Sequence, residues 1–407
     1  MERWKEYRLG DLVDFQNGYA FKSTDFTSNG EYKVIRIKEL KDGLVKFFDD
    51  TVSVIQDPNK TMSKFLVNNG DIIFALTGDP VNKPNPDSWV GRVSLYTHNE
   101  IAYLNQRTCK ITNYREIIPK YIYYYFRCFN NLHSLASKAT GSANQANIST
   151  KIIEDTNIFL PPLNIQNIVV NILSSLDDKI ELNRRINENL EQQAQALFDF
   201  YFIQHPQKLG SYESGSLIDI ANYTNGSAMQ KFRPQIEEKG IPVLKIKELG
   251  QGRTDSSSDV CSENISSEYI VNDGDVIFSW SGTLMVNIWC GGLCGLNQHL
   301  FKVTSDKYPK WFYYFWTKYH LGKFIRIAKD KAVTMGHIKR GDLETSEVII
   351  PEIETLSKLD EIISPILNQI IGIKCENRKL ENLRDALLPK LMSGELKLSE
   401  IETELDE

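Results

Sequence analysis

Residues 66–78 read LVNNGDIIFALTG, and residues 270–282 read IVNDGDVIFSWSG. Each stretch places a Gly-Asp turn before a run of β-branched and aromatic residues, which predicts a tight turn leading into a buried strand. The same combination occurs twice in one chain and therefore indicates an internal duplication. Such a repeat has to be established before any fold is assigned.

Further segments repeat in the same order along the chain. LGDLVDFQNG (9–18) corresponds to LIDIANYTNG (217–226), VIRIKELKDG (34–43) to VLKIKELGQG (243–252), YLNQRTCKI (103–111) to GLNQHLFKV (295–303), IPKYIYYYFR (118–127) to YPKWFYYFWT (308–317), and FLPPLNIQNIVVNIL (159–173) to IIPEIETLSKLDEII (349–363). From Pro119 and Pro309 onward the two copies stay 190 residues apart without a gap. The chain is therefore predicted to consist of two copies of one unit.

Each copy begins with short strand-like runs separated by Asn-Gly, Asp-Gly and Gly-Asp turns, which is typical of a strand-rich domain. The later runs PKYIYYYF and PKWFYYFW place proline at the first position of a helix, where its missing N–H costs least. Aromatic residues cover most of this helix, so the sequence favours a buried helix. Stacking of these rings on nucleobases is the alternative.

Each copy ends in a long predicted helix, over 163–200 and 353–390, each about 57 Å long at 1.5 Å per residue. Apolar residues at 3-4 spacing predict a coiled-coil seam, with the two helices packed antiparallel. Separate surface helices are the alternative. Asn183 occupies a seam position, where a buried amide can fix the register. The predicted seam comprises Val169, Ile172, Leu176, Asn183, Ile186, Leu190, Leu197, Leu359, Ile362, Ile366, Ile373, Leu380, Leu383 and Leu387.

The bulk composition is that of a globular protein of more than one domain. The chain has 407 residues, 41% hydrophobic residues and a mean hydropathy of −0.33, and its length exceeds what a single core usually supports. No apolar run is long enough to span a bilayer, and the first ten residues lack a secretory signal, so we expect a cytoplasmic protein. Cys290 and Cys294 lie near His299, but a fourth zinc ligand is missing, so we predict buried thiols and no metal site.

The net charge of −6 is unevenly distributed. Residues 161–206 and 351–407 carry the excess of acidic residues, whereas 1–160 and 207–350 are slightly basic. The overall sign therefore does not exclude a nucleic-acid partner for the two strand-rich regions. The acidic helices are poorly suited to DNA by charge and are better candidates for docking other proteins.

With these motifs together, the chain resembles the specificity subunits of type I restriction–modification systems over essentially its whole length. The most family-like strings are LPPLNIQNIVVNIL (160–173) and LRDALLPKLMSGEL (383–396), supported by the Gly-Asp strand and by Leu-Asn-Gln before an aromatic helix. The resemblance implies an α+β fold in which two strand-rich target-recognition domains, related by internal duplication, are joined by two long antiparallel helices forming a coiled coil. The acidic tail SEIETELDE departs from it and carries no recognisable motif.

The domain boundaries follow from this organisation. We predict target-recognition domain 1 over 1–160, spacer helix 1 over 161–206, target-recognition domain 2 over 207–350, spacer helix 2 over 351–394 and an acidic tail over 395–407. The resemblance implies a bipartite DNA target, two half-sites separated by an unread spacer that the helices set. Gly78 to Asn105 spans 27 residues but Gly282 to Asn297 only 15, which predicts that the two half-sites differ.

DNA contacts are expected to divide into phosphate anchors and base readers. Predicted phosphate anchors are Lys22, Lys38, Lys138, Lys151, Lys231, Arg233, Lys247, Lys331 and Lys339, although Lys38 and Lys247 could equally lie on a solvated edge. Predicted readers come from the unequal loops and from 140–149 and 333–341; they are Thr77, Lys83, Arg92, Ser142, Asn144, Gln145, Ser281, Thr283, Thr334 and His337. His337 could equally be structural. The recurring Leu-Asn-Gln is interpreted as scaffold that pins the backbone, with a shared DNA contact as the alternative.

No catalytic motif is found in the sequence, neither a GxxxxGK[ST] phosphate loop nor a dinucleotide fingerprint. The chain is therefore predicted to be a non-catalytic DNA-binding adaptor. The resemblance implies partners that supply the chemistry: two methyltransferase subunits using S-adenosylmethionine, and restriction subunits using ATP and Mg²⁺. Two alternatives remain, a coiled-coil scaffold that never binds DNA and a stand-alone DNA-modifying enzyme with an unrecognised site.

Overall fold

The computed structural model describes residues 4–55, 62–142, 144–330 and 338–396. The chain divides into two compact units, one formed by Met1–Asp177 with Leu383–Glu407 and the other by Asp178–Asn382. Each unit thus contains one strand-rich domain and one part of each long helix. The division between the units falls inside both long helices, and the predicted domain boundaries stay a prediction.

The first unit is built from short strands and short helices. Its strands are β1 Lys5–Arg8, β2 Asp14–Asn17, β3 Tyr32–Ile35, β4 Leu40–Lys41, β5 Leu44–Val45, β6 Ser53–Val54, β7 Leu66–Val67, β8 Ile72–Ala75, β9 Thr77–Gly78, β10 Val93–Leu95, β11 Ala102–Leu104, β12 Thr108–Thr112, β13 Thr140–Ser142, β14 Gln145–Asn147 and β15 Asn157–Leu160. Its short helices are α1 Leu9–Leu12, α2 Pro119–Arg127, α3 Phe129–Ala136 and α4 Thr150–Glu154. The long helix α5, Leu163–Phe198, follows and crosses the boundary between the units.

The second unit repeats this order. Its strands are β16 Tyr212–Ser216, β17 Asn222–Asn225, β18 Ile241–Leu244, β19 Val260–Cys261, β20 Ile270–Val271, β21 Val276–Ser279, β22 Met285–Ile288, β23 Cys294–Leu296, β24 Leu300–Thr304 and β25 Glu347–Pro351. Its helices are α6 Leu217–Ile220, α7 Ile246–Gln251, α8 Lys310–Asp330 and α9 Arg340–Glu344. The long helix α10, Ile353–Ser393, returns from this unit into the first.

The sheets establish the duplication strand by strand. The second domain contains the sheets β17-β24-β21-β22 and β19-β18-β23-β20, and the first contains β2-β12-β8-β10 and β6-β3-β11-β7 in the same orders. In both domains the strand before Leu-Asn-Gln pairs in parallel, β11 with β3 and β23 with β18. The first domain adds β5 and β4 to one sheet and the sheet β13-β14-β9. The predicted α+β fold with two related domains is confirmed.

The lysine that recurs after Leu-Asn-Gln has a structural partner in each domain. Lys110 Nζ lies 2.7 Å from Asp71 Oδ2, and Lys302 Nζ lies 3.7 Å from Asp275 Oδ2. Both carboxylates belong to the recurring Gly-Asp turns, and each also accepts a backbone N–H of its own turn. All four side chains are mostly buried. Two of the repeated motifs are therefore repeated because they form one ion pair within the fold.

The recurring Ile-Lys-Glu-Leu segment is structural for a similar reason. Glu39 and Glu248 are almost completely buried, and each accepts a backbone N–H three residues earlier, from Arg36 at 3.0 Å and from Lys245 at 3.3 Å. A buried carboxylate is tolerated only when such donors satisfy it. The glutamate therefore has the same structural role in both copies of this motif.

The aromatic runs form buried helices, as predicted. Tyr121 and Phe126 in α2, and Trp311 and Phe312 in α8, are at most 1% exposed. The helices differ in length, because α2 ends at Arg127, before the extended backbone of Cys128, whereas α8 continues for 21 residues. The core-packing interpretation of these rings is confirmed.

The two long helices pack on each other within each unit. In the first unit Val169 and Leu173 share a hydrophobic core with Leu388 and Leu391, and Arg384 Nη1 donates to Asp177 Oδ1 at 2.9 Å. In the second unit Arg184 bonds Glu381, whereas Glu191 bonds Lys374. Residue numbers fall along α10 as they rise along α5, so the helices run antiparallel, as predicted.

Two asparagines occupy the centre of the helix pair in the second unit. Asn183 Nδ2 donates to Asn377 Oδ1 at 2.8 Å and to Glu376 Oε2 at 2.9 Å. Asn377 Nδ2 donates to the carbonyl of Ile180 at 3.1 Å. Because both amides are buried, sliding one helix along the other would leave them unsatisfied. The amides therefore fix the register, as predicted for Asn183.

Each long helix has two sets of inward-facing residues at 3-4 spacing, and the predicted seam is only one of them. Val169, Asn183 and Leu359 are buried; Ile172, Leu176, Ile186, Leu190, Leu197, Ile366, Ile373, Leu380 and Leu387 are half-buried. The second series was missed and contains Gln166, Leu173, Ile180, Asn187 and Ala194 on α5, and Leu356, Ile363, Ile370, Asn377 and Leu391 on α10.

The seam prediction was wrong for Ile362 and Leu383, which are 50% and 48% exposed. In each case the next residue is the one that packs inward: Ile363 is fully buried in the core of the second unit, and Arg384 donates to Asp177 of α5. Successive side chains of an α-helix point about 100° apart around the helix axis. When Ile363 and Arg384 face inward, Ile362 and Leu383 therefore lie on the outer face.

Candidate nucleic-acid interface

The ends of three strands meet at one edge of the first domain. β2 ends at Asn17, β8 ends at Ala75, and β12, which runs between them in the opposite direction, begins at Thr108. The backbone pairing continues past the strands, because Leu76 N donates to Arg107 O at 2.9 Å. We call Asn17, Leu76, Gln106 and Arg107 the strand-end surface of the first domain.

A polar hairpin extends the same edge. β14 pairs with β13 on one side and with β9 on the other, and Ile148 N, just after β14, donates to Leu76 O at 2.9 Å. Ser142, Asn144 and Gln145, all predicted base readers, are exposed on this hairpin. The hairpin therefore brings three of the predicted readers beside the strand-end surface.

The second domain has the corresponding edge. β17 ends at Asn225, β21 ends at Ser279 and β24 begins at Leu300. Trp280 N donates to His299 O at 3.4 Å, and Ile338 N donates to Trp280 O at 3.1 Å. The strand-end surface of the second domain is therefore Asn225, Trp280, Gln298 and His299. The predicted Lys331, Thr334 and His337 lie outside the described residues, directly before Ile338.

A glycine and an asparagine hold this edge together in both domains. A Cβ at Gly18 would lie 2.1 Å from Asn105 O, and one at Gly226 would lie 2.2 Å from Asn297 O, so only glycine fits at either position. Asn105 and Asn297 are buried, and Asn297 Oδ1 accepts the N–H of His299 at 3.2 Å. The interpretation of Leu-Asn-Gln as scaffold therefore holds for the asparagine.

Gln106 and Gln298, the last residues of the same motif, are both exposed. Gln298 Nε2 lies 3.3 Å from His299 Nε2. The ring of His299 in turn lies beside the ring of Trp280. The glutamines thus belong to the strand-end surfaces and not to the scaffold beneath them. One sequence motif therefore has two different environments.

Three predicted base readers are buried and belong to the scaffold instead. Thr77, Arg92 and Ser281 are 7%, 8% and 3% exposed. Thr77 Oγ1 donates to Asn147 Oδ1 at 2.8 Å and ties β9 to the hairpin, and the carbonyl of Ser281 accepts from Ser279 Oγ at 3.1 Å. For these residues the prediction of a reading role was wrong, because polar residues in an irregular segment look exposed in sequence.

Arg92 shows most clearly how such a residue is used. Its guanidinium donates to the carbonyls of Ile37, Leu40, Ser88 and Trp89 at 2.9–3.4 Å. Burial lowers the pKa of Arg92 to about 10, so the side chain stays charged at neutral pH. The arginine holds the segment that precedes β10 in place by donating hydrogen bonds to four carbonyl oxygens.

The predicted phosphate anchors fall into two groups. Lys22, Lys231, Arg233 and Lys339 are exposed, as is the predicted reader Thr283, and Lys83 is half-buried. Four further anchors are exposed but have partners: Lys38 with Asp50, Lys151 with Asp155, Lys247 with Asp255, and Lys138 with the hydroxyl of Thr156. Exposed ion pairs of this kind contribute little stability, so a phosphate could replace the carboxylate.

From the sequence alone, Arg107, Trp280 and His299 were not predicted to contact DNA, and His299 was considered only as a zinc ligand. A signal was available, because Arg107 and His299 follow the repeated Leu-Asn-Gln at the same position and differ in residue type. Within the described ranges, no helix has the length and apolar character to cross a membrane. Among the same residues, no three His, Cys, Asp or Glu side chains gather as a metal site requires.

Comparison with known proteins identifies the family. A type I restriction modification DNA specificity domain matches residues 1–192 and again 210–384. The chain is 28% identical over 345 residues to the type I restriction enzyme MjaIX specificity subunit of Methanocaldococcus jannaschii, covering 76% of this chain and 79% of that protein. It is 20% identical to the HindI specificity subunit of Haemophilus influenzae, covering 97% of this chain and 100% of that protein.

The fold agrees with a solved structure of the same kind. The type I restriction–modification S subunit from M. genitalium superposes with a TM-score of 0.58 at 17% identity, covering 96% of both chains. The two matched domains coincide with the two strand-rich domains and reach into both long helices. The chain therefore belongs to the family of non-catalytic specificity subunits of type I restriction–modification systems.

Proposed function

We propose that this chain reads a bipartite DNA target, with one half-site bound by each strand-rich domain and an unread spacer between them. The observation that carries the proposal is that the two domains share one frame but present different side chains at the same edge. Arg107 stands in the first domain where His299 stands in the second, and Leu76 where Trp280 stands. Different side chains on equal frames are suited to reading different bases.

The exposed hairpin of the first domain is the proposed reading element. A two-stranded β-ribbon fits the major groove, where each base pair presents a distinct pattern of donors and acceptors. Asn144 and Gln145 carry amides that can bond the N6 and N7 atoms of adenine. The exposed Lys22 and the paired Lys151 are the proposed phosphate anchors in the same domain. Phosphate contacts would make binding fall steeply with salt.

The long helices are proposed to set the distance between the half-sites. α5 has 36 residues and α10 has 41, so they are about 54 Å and 62 Å long at 1.5 Å per residue. Half-sites on the same side of B-DNA recur about every 34–36 Å. Helices of this length can hold two recognition domains that far apart.

The chemistry is proposed to come from partners. We expect two methyltransferase subunits that bind S-adenosylmethionine, and restriction subunits that use ATP and Mg²⁺, to assemble with this chain on cytoplasmic DNA. The outer faces of the long helices, which carry none of the predicted DNA contacts, are the proposed docking surface. This chain would contribute recognition and geometry only.

Methylome sequencing tests the proposal directly. Cells that express the chain with the methyltransferase subunit of its own system should carry one methylated motif with two dissimilar half-sites and a gap of fixed length. A continuous motif, or no motif at all, would refute the bipartite proposal. A chain without the methyltransferase subunit is the control and should leave the DNA unmodified.

Lengthening the helices tests their role in spacing. Seven residues inserted after Asp178 and seven after Asn382 keep the heptad phase, because Asp177 and Arg384 face each other at this level. Each helix gains about 10.5 Å, so the unread gap should grow by about three base pairs at 3.4 Å each. Both half-sites should stay unchanged. A lengthened chain that methylates the original motif would contradict the spacing role.

A further inference from the structure

We propose that the residue directly after Leu-Asn-Gln, Arg107 in the first domain and His299 in the second, determines the base read at one position of each half-site. This inference rests on the proposed function and deepens it by assigning one specificity-determining residue to each domain. Arg107 would require guanine. His299 would read the corresponding base of the other half-site less stringently.

The backbone holds the two residues in equivalent places. Leu76 N donates to Arg107 O, and Trp280 N donates to His299 O. Two positions upstream, Asn105 and Asn297 are buried and each forms a parallel bridge, to Tyr19 and to Ser227. The backbone at this point is therefore specified by the frame common to both domains, while its side chain is free to differ.

Arg107 has the properties of a reader. Its side chain is exposed, and among the described residues its guanidinium has neither a hydrogen-bond acceptor nor an ion-pair partner within bonding distance. Arg92 of the same domain, in contrast, uses its guanidinium on four carbonyls. An arginine that projects beside a polar hairpin can donate two parallel bonds to O6 and N7 of guanine, the commonest specific contact in the major groove.

His299 is held differently and reaches less far. Its ring lies 6.0 Å from that of Trp280, whose Nε1 donates to Asn225 Oδ1 at 3.1 Å. The Nδ1 atom of His299 is buried, and Nε2 lies 3.3 Å from Gln298 Nε2. Nε2 is therefore the atom through which the ring can meet a base, in place of the exposed Gln298 amide, and one imidazole nitrogen makes one hydrogen bond. A single bond discriminates among bases less than the arginine fork does.

The test uses the full chain with its methyltransferase subunit and compares methylomes of three single variants. Arg107→Gln should abolish the requirement for one guanine in one half-site and leave the other half-site unchanged. Discrimination at that base should fall by roughly 5- to 150-fold, the range for a bidentate contact. His299→Arg should instead add a guanine requirement to the other half-site. Arg253→Gln, at an exposed arginine outside both strand-end surfaces, is the matched control and should change neither.

The outcomes separate this inference from the proposed function. The half-site that a variant leaves unchanged reports that the chain is folded and assembled. Unaltered motifs in Arg107→Gln and His299→Arg would overturn the inference while the bipartite function stands, and so would a uniform loss of methylation at every site. A wild-type complex that yields no gapped motif would overturn the proposed function and this inference together.

Discussion

The first and second recognition domains differ most where they present side chains to solvent and least where they hold their own frame. Gly18 and Gly226 each pack against the carbonyl of the equivalent asparagine, and Asp71 and Asp275 each bind the equivalent lysine of their own domain. At the strand-end surface, by contrast, the first domain carries Arg107 and the second carries His299. What recurs in this chain is therefore scaffold, and what differs is the candidate for specificity.

The unequal connections show how the first domain supports its additional structure. Between Gly78 and Asn105 it holds Trp89 and Arg92, both buried, and it pairs the hairpin β13-β14 with β9. The second domain spans the corresponding stretch with fewer residues, and Met285 occupies the place of Arg92, because Val93 pairs with Phe74 as Val286 pairs with Phe278. The longer connection therefore contributes its own packing as well as more exposed surface.

The largest expected difference between the domains comes from removing Arg92. Arg92→Met gives the first domain the residue of the second and leaves four carbonyls without their donor. We expect the free energy of unfolding of the first domain to fall by about 3–5 kcal/mol. Hydrogen–deuterium exchange with mass spectrometry reports each domain separately. Met285→Leu is the matched control and should cost less than about 1.5 kcal/mol; equal effects of the two variants would contradict a structural role for Arg92.

The recurring ion pair should respond alike in both domains. Asp71→Asn and Asp275→Asn each remove the charge opposite a largely buried lysine. We expect each variant to lower the free energy of unfolding of its own domain by about 1–3 kcal/mol, measured by the same exchange experiment. An effect confined to one domain would show that the ion pair stabilises only one of the two domains.

The smallest expected effect is a pH dependence found in the second domain only. Burial lowers the pKa of His320, whose Nε2 lies 2.8 Å from the carbonyl of Glu347; the first domain has Asn130 at this position. Since the folded state favours the neutral ring, the unfolded state binds up to one more proton in the pH window between the lowered pKa of the folded state and about 6.5. Stability of the second domain should therefore fall as the pH drops, by no more than about 1.4 kcal/mol per pH unit.

His320→Asn is the variant that isolates this effect. Thermal unfolding is measured between pH 5.5 and 7.5. In the variant, the stability of the second domain should no longer show the part of its pH dependence that His320 causes, and the stability of the first domain should be unchanged. Acid sensitivity of the second domain that persists in His320→Asn would assign the effect to another group.

The sequence predicted the duplication, the strand-rich domains and both long helices, because these leave periodic or repeated patterns. It found only one of the two buried series on each helix. The other series includes Gln166, Asn187 and Ala194, and polar or small residues do not register as an apolar stripe. Their burial depends on contacts that an apolar pattern does not reveal: the amide of Gln166 bonds Ile118 N and Pro161 O, and Asn377 of the same series accepts a hydrogen bond from Asn183 on the partner helix.

The candidate site was predicted less well than the fold. Asn144 and Gln145 were chosen as readers for their chemistry, and the hairpin exposes both. Arg92 was chosen for the same reason and is buried, because the carbonyls that bind it come from distant parts of the chain, such as Ile37. Burial of a polar side chain depends on long-range contacts that local sequence does not encode.

A chain with two identical recognition domains gives the most direct test of the central claim, that equal frames with different surfaces read different half-sites. Residues 213–351, closed by the pair β16-β25, would replace residues 5–161, closed by β1-β15. With its methyltransferase subunit, this chain should methylate a gapped motif whose half-sites are two copies of the second. A motif that keeps the original first half-site would contradict the account.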